Sequence, residues 1–107
     1  MSGPGTPTLD QLNILLAIVD TGSFAGAARK LNRAVSAVSY GVTNLEAQLG
    51  LKLFDREGTR RPKLTVAGRA VLIEARAAAL VTDGLRAKVK GLLDGLEAEA
   101  DLAVDVM

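Results

Sequence analysis

Closely spaced helix start and stop signals constrain the first fifty residues of this chain most strongly. Thr8 and Gln11 have the spacing of a capping box, which predicts a helix from Leu9, and Gly22 ends that helix. One face carries apolar residues at helical spacing, namely Leu9, Leu12, Leu16 and Val19. The opposite face carries Ile14 and Ile18. A helix that is apolar on two sides needs two partners, one inside its own domain and one that could lie beyond it.

Two further short helices are predicted before residue 50. Ser23 can cap a helix over residues 24–31, and the pair 32–33 forms a tight turn in which Asn tolerates a left-handed backbone. A third helix is predicted over about residues 34–49, with Gly50 as its stop.

The third predicted helix has two dissimilar faces. At 100° per residue its inward face is an apolar stripe about 60° wide, formed by Val38, Val42, Leu45 and Leu49. The outward face carries Ser36, Tyr40, Thr43 and Ala47, with Ser39 on the shoulder. Solvated helix faces usually carry Glu and Lys, whereas hydroxyls and a phenol suit contacts with base edges or phosphates in a DNA major groove. The pattern favours a DNA-reading helix, and an indifferent polar face is the alternative.

A β-hairpin is predicted after Gly50. Residues 51–56 alternate partly and form a first strand, 57–61 form a charged turn, and 62–65 pair back with Pro62 at an edge position. Three cations gather near the tip, namely Arg60, Arg61 and Lys63. They repel one another unless an anion lies opposite, and DNA phosphate is the simplest candidate. A solvated loop is the alternative.

A long fourth helix is predicted from Val66 to roughly Lys90, with Thr65 as its cap. We expect it to fray or end between Lys90 and Gly95, because each of three glycines weakens it by roughly 1 kcal/mol. Its apolar seam consists of Ala78, Val81, Leu85, Val89, Leu92 and Leu96. This seam is too long for a small domain to cover, so pairing with a second copy is predicted. Packing on Ile14 and Ile18 is the alternative, and the two are compatible. The predicted dimer residues are Ile14, Ile18, Ala78, Val81, Leu85 and Val89.

The charge distribution is more informative than the net charge of +1. Residues 1–28 have a net charge of −2, residues 29–69 carry nine bases against three acids, and residues 70–107 have a net charge of −3. A basic middle between acidic ends is typical of a localised polyanion-binding surface, although chance clustering is the alternative.

The composition excludes several classes of site. The chain contains no Cys and no His, which excludes disulfides, thiolate zinc sites, cysteine nucleophiles and histidine bases. No other acid–base or nucleophile arrangement stands out, so we expect neither an enzyme nor a cofactor. The sequence has no apolar run of membrane-spanning length and residues 1–7 show no signal pattern, so a cytoplasmic protein without a membrane partner is predicted.

In this order, the predicted elements resemble the N-terminal DNA-binding domain of LysR-type transcriptional regulators over about residues 8–90. The blocks that carry the resemblance are Leu9-Asp10-Gln11-Leu12, Thr21-Gly22-Ser23-Phe24, Ala27-Ala28, Leu31, Ser36-Ala37-Val38-Ser39, Leu45-Glu46, Leu49-Gly50, Leu53-Phe54-Asp55-Arg56 and Leu64-Thr65-Val66-Ala67-Gly68. The implied fold is mainly α, a winged helix-turn-helix with a long dimerisation helix. The molybdate-responsive regulators carry a similar N-terminal domain, but residues 53–68 fit the LysR type better.

The resemblance implies that helix 34–49 reads double-stranded DNA and that segment 56–63 is the wing. It places Ser36, Ser39, Tyr40 and Thr43 in the groove, and Arg33, Arg56, Arg60 and Arg61 at phosphates. The charge of the hairpin tip adds Lys63 to the predicted phosphate contacts. Members of the family are homodimers or tetramers whose small-molecule effector binds a larger C-terminal domain. We therefore expect a fragment divided into a lead-in (1–7), a DNA-binding domain (8–65), a dimerisation helix (66–93) and a hinge with a truncated strand (94–107).

The third helix departs from the family pattern at several positions. The family usually has Ser or Thr where this chain has Ala34, often Gln at Val35, and Arg or Gln at Tyr40 or Gly41. The basic residues common before Leu45 are replaced by Thr43 and Asn44. Its base preference therefore cannot be taken from relatives. A winged helix used only for protein association is the alternative function.

Overall fold

The computed structural model describes residues 5–55 and 61–105, with side chains placed over 5–55 and 61–99. The elements are α1 (Leu9–Thr21), α2 (Phe24–Leu31), α3 (Val35–Leu49), β1 (Phe54–Asp55), β2 (Lys63–Leu64) and α4 (Val66–Asp105). Three short helices, a small hairpin and a long C-terminal helix form a winged helix-turn-helix, so the predicted mainly α fold is confirmed.

Local capping explains where the first helices begin and end. The Thr8 hydroxyl accepts a hydrogen bond from the Gln11 amide at 3.2 Å, and the Gln11 side chain accepts one from the Thr8 amide at 2.9 Å. Gly22 and Asn32 end α1 and α2 in the left-handed conformation, with φ of 82° and 56°. The Ser23 hydroxyl accepts from the Gly26 amide at 2.8 Å. The predicted boundaries of α1 and α2 are thus confirmed.

The core lies between α1, α2, α3, the hairpin and the first part of α4, and it corrects the predicted orientation of α1. Ile14 and Ile18 are buried in this core, so the prediction that they face a second copy is wrong. Ile14 Cδ1 lies so close to Gly41 that a Cβ there would approach it to 2.7 Å. The other face of α1 is covered less completely, since Leu9 is exposed and Leu12, Leu16 and Val19 are half-buried. Both faces are apolar, and the sequence pattern alone did not indicate which one α3 covers.

A buried carboxylate joins the end of α3 to the hairpin. Glu46 is 7% exposed, and its Oε2 accepts a hydrogen bond from the Leu53 amide at 2.8 Å. Its backbone carbonyl accepts from the amides of Gly50 and Leu51 at 2.8 and 3.2 Å. Glu46 therefore fixes both the end of α3 and the start of the path into β1.

The hairpin and the start of α4 are packed against each other. The strands are antiparallel, with Phe54 opposite Leu64 and Asp55 opposite Lys63, and each is shorter than predicted. Thr65 caps α4 as expected, since its hydroxyl accepts from the Gly68 amide at 2.9 Å. A Cβ at Gly68 would overlap the carbonyl oxygen of Leu53. Glycine is therefore required where α4 passes the hairpin.

The fourth helix is longer than predicted, because it continues through Asp105. The expected end between Lys90 and Gly95 is therefore wrong. The hinge and strand expected over 94–107 are also wrong up to residue 105, because those residues are helical. Gly84, Gly91 and Gly95 face open space, and their cost is offset by neighbouring Ala, Leu, Lys and Glu, which are strong helix formers. Of the helices in the described ranges, none is by itself long and apolar enough for a membrane crossing, although α1 and α2, bent by 119°, pass that test as a pair.

Candidate nucleic-acid interface

The two faces of α3 differ in the structure as they do in the sequence. Val38, Val42 and Leu45 are buried in the core. The outward residues Ser36, Tyr40, Thr43 and Ala47 are exposed, and Ser39 is partly so. Tyr40 is 68% exposed, whereas Glu46, the acid of this helix, is turned into the core. The outer face of α3 is therefore neutral and carries hydroxyl groups.

The beginning of α3 lacks a side-chain cap. Ala34 is the N-cap residue and has extended backbone, and no side chain accepts a hydrogen bond from the first turn, as the sequence predicts. The amide groups of that first turn lie at the positive end of the helix dipole, where anions such as phosphates are bound favourably.

Arg33 stands next to this uncapped turn but is already paired within the chain. Its Nη1 donates to Oδ2 of Asp10 at 2.8 Å, and its Nη2 donates to Oδ1 at 2.5 Å. The hydrogen bond from Arg33 lowers the pKa of Asp10. Partial burial of the carboxyl opposes this shift, and the positive charge of Arg33 adds to it. The same bond and charge raise the pKa of Arg33. The predicted phosphate contact at Arg33 therefore faces a competing carboxylate.

At the other end of α3 the structure places a cation that the sequence reasoning missed. Lys52 is exposed and lines a groove of about 350 Å³ together with Thr43, Glu46, Ala47, Gly50 and Leu51. The turn at Gly50, held by the Glu46 carbonyl, brings Lys52 back beside the outer face. Its position two residues after the helix-ending Gly50 was the available signal. The neutral face of α3 thus has a cation at each end.

The wing residues are placed only in part. Arg56 and Arg60 lie outside the described residues. Arg61 and Lys63 are exposed, and Lys63 stands opposite Asp55 in the hairpin. Lys63 lines a second groove, of about 190 Å³, whose other lining residues are Ile18, Val19, Gly22, Phe54, Pro62, Leu64 and Arg69. The structure therefore brings Lys52, rather than Lys63, into the groove beside Thr43.

The seam of α4 is exposed beyond the domain. Ala78 is half-buried, whereas Val81, Leu85 and Val89 are exposed, so the seam does not pack on Ile14 and Ile18. Ile73 and Leu80 are also exposed, and they lie about 120–140° around the helix from Leu85.

Within the described part of the chain, no three residues among His, Cys, Asp and Glu are grouped so that they could hold a metal ion.

Comparison with known proteins identifies this arrangement. The family of bacterial regulatory helix-turn-helix proteins called lysR matches residues 9–69. The chain belongs to the lysR family. Residues 9–69 are accordingly a lysR-type helix-turn-helix DNA-binding domain.

Relatives and solved structures agree with this lysR-family assignment. The chain is 37% identical over 100 residues to the probable HTH-type transcriptional regulator YhaJ of Escherichia coli (strain K12), which covers 94% of this chain and 33% of YhaJ. It matches full-length LysG of Corynebacterium glutamicum with a TM-score of 0.73 and 38% identity, over 82% of this chain and 30% of LysG. It matches the BenM DNA-binding domain, solved with catB site 1 DNA, with a TM-score of 0.74 and 32% identity, over 79% of this chain and 94% of that domain. The chain thus spans about a third of the length of YhaJ.

The structure accounts for one departure from the lysR-family pattern. At position 41 the side chain of Ile14 fills the space beside the helix, and a Cβ would meet it. Gly41 therefore complements a bulky residue of α1, whereas Tyr40 next to it projects outward. The departure at Gly41 is explained by core packing, while nothing in the structure explains Val35, which is exposed.

Proposed function

We propose that this chain binds double-stranded DNA in a sequence-specific manner, with α3 in the major groove and the hairpin at the phosphate backbone. The observation that carries the proposal is the outer face of α3, which presents Ser36, Tyr40 and Thr43 without an acidic side chain. Hydroxyl groups donate to and accept from base edges, and Tyr40 reaches furthest from the helix. Ser39 would contribute from the shoulder of the same face.

The charges around α3 support this docking. Arg33 and Lys52 flank a helix of fifteen residues, which is about 22 Å long, so they lie near its two ends. Phosphate contacts by such cations fix the register of a protein on the duplex, while contacts to base edges select the sequence. We assign Arg56, Arg60, Arg61 and Lys63 to further phosphate contacts of the wing.

We further propose a homodimer that pairs through the seam of α4, at the exposed Val81, Leu85 and Val89 and the half-buried Ala78. Two recognition helices related by a two-fold axis would then read half-sites about one helical turn, or a multiple of it, apart. In the whole protein this domain would act in cytoplasmic transcription regulation, without enzymatic activity. It would respond to a small molecule bound by a further domain, in a dimer or tetramer.

Selection of bound sites from random duplexes, followed by a salt titration on the selected site, tests DNA binding. Each phosphate contact contributes a slope of about 0.9 in log Kd against log salt, so we expect affinity to fall steeply between low and moderate salt. The variant Arg61→Ala/Lys63→Ala should lower that slope by about 1.8 if both residues contact phosphate. Arg86→Ala/Lys88→Ala on exposed α4 is the matched control and should leave the slope unchanged. An affinity that barely responds to salt would contradict the proposal.

A module for protein association without DNA readout is the second candidate, favoured by the exposed apolar side chain of Val35 and the absent cap at Ala34. Tyr40→Ala separates the two, because Tyr40 is exposed and its removal does not disturb the core. DNA readout predicts loss of discrimination between the selected and a scrambled duplex. Unchanged discrimination, together with a site selection that returns no consensus, would favour protein association.

A further inference from the structure

The Asp10–Arg33 pair joins the start of α1 to the turn that precedes α3. Both hydrogen bonds of this pair are formed by the two terminal nitrogens of one guanidinium with the two oxygens of one carboxylate. The side chain of Arg33 is 38% exposed and that of Asp10 is 57% exposed, so solvent and other ions can reach the pair. The pair holds the side chain of Arg33 in place. Arg33 comes one residue before Ala34, where α3 begins without a side-chain cap.

A carboxylate and a phosphate compete for the same feature of an arginine. Both accept two parallel hydrogen bonds from the guanidinium fork. While Asp10 accepts both bonds, Arg33 cannot offer that fork to a phosphate. Because the pair is exposed to solvent, another anion can replace the carboxylate at a small cost in free energy.

We propose that Asp10 is an intramolecular competitor of the DNA backbone for Arg33, and that DNA binding exchanges the Asp10 carboxylate for a phosphate. The inference rests on the proposed DNA binding. It adds Asp10 as a residue that lowers the affinity for DNA without contacting the DNA itself. Asp10 thereby sets the strength of binding, whereas the outer face of α3 sets its sequence.

A thermodynamic cycle on the selected duplex tests this exchange. The chains to be compared are wild type, Asp10→Asn, Arg33→Ala and the double variant. Asp10→Asn keeps the size and a neutral acceptor, and it should tighten binding about two- to five-fold, the range that corresponds to an exposed ion pair. The gain should disappear in the Arg33→Ala background. The salt slope of Asp10→Asn should exceed that of the double variant by about 0.9, one phosphate contact.

Asp20→Asn is the matched control, since it removes the same charge from the other end of α1. Asp20 pairs with Lys30 at 3.7 Å and Arg76 at 3.3 Å, not with Arg33. An equal gain in DNA affinity from Asp20→Asn would overturn the inference, because the loss of one negative charge anywhere on α1 would then explain the effect. Weaker binding by Asp10→Asn would also overturn it, because the pair would then be a clamp that positions α3. If none of the chains binds any selected duplex, the proposed function itself fails and the inference falls with it.

Discussion

The first and second halves of α4 have similar apolar repeats but different surroundings. Over residues 66–79 the helix lies on the domain, with Ala75 fully buried, Gly68 against the Leu53 carbonyl and Arg76 paired with Asp20. Over residues 80–99 the side chains are mostly exposed, Leu85 and Leu96 at 61% each. An apolar repeat therefore identifies a contact face of a helix without identifying the partner that covers it. In the first half the partner is the chain's own core, whereas in the second half we propose a second copy.

The largest contrast is expected between one leucine of the core and one of the exposed seam. Leu15→Ala should lower the free energy of unfolding by about 2–5 kcal/mol, because Leu15 is fully buried and its removal leaves a cavity. Leu85→Ala should change it by no more than about 0.5 kcal/mol when measured on the monomer, yet weaken self-association. Urea unfolding at low protein concentration and sedimentation equilibrium measure the two effects. Equal losses of stability in both variants would show that the second half of α4 packs within its own chain.

Substitutions of two glycines, one in each half of α4, should change stability in opposite directions. Gly68→Ala should destabilise the domain by about 1–3 kcal/mol, because its Cβ would displace the Leu53 carbonyl and with it the hairpin. Gly91→Ala should stabilise the helix by roughly 1 kcal/mol, because an added Cβ would point into open space and alanine is the stronger helix former. Thermal unfolding followed by circular dichroism tests both. Destabilisation by Gly91→Ala would indicate a close neighbour at that position, such as a second helix.

Local signals explain why so much of the domain could be predicted from the sequence. The caps at Thr8 and Ser23, the left-handed Asn32 and the stripe of α3 depend on residues a few positions apart, which a sequence shows directly. The inward face of α1 depends on contacts with distant residues such as Gly41, so the assignment of Ile14 and Ile18 to a second copy was wrong. The predicted end of α4 was also wrong, because the strong helix formers around the three glycines offset their cost.

The candidate site was predictable to a similar extent and for the same reason. The outward residues of α3 follow from helical periodicity alone. Lys52 was missed because its position beside Thr43 depends on the turn at Gly50, and the Arg33 pair was missed because Asp10 is 23 residues away in sequence. The buried role of Glu46 depends on the Leu53 amide, which no helical pattern indicates.

The smallest predicted effect is a pH dependence that belongs to the domain and not to the exposed half of α4. The pKa of Asp10 is lower in the folded chain, chiefly because Arg33 hydrogen-bonds to its carboxylate. Since the folded carboxyl binds protons less readily than the unfolded one, its stabilising contribution is complete above the unfolded pKa of about 3.9 and is lost as pH falls through the folded value. The difference in free energy of unfolding between wild type and Asp10→Asn should therefore be constant near neutral pH and shrink below about pH 4. Urea unfolding of both chains at several pH values measures it, and a difference that stays constant or grows in acid would show that the charge of Asp10 contributes nothing to the pair.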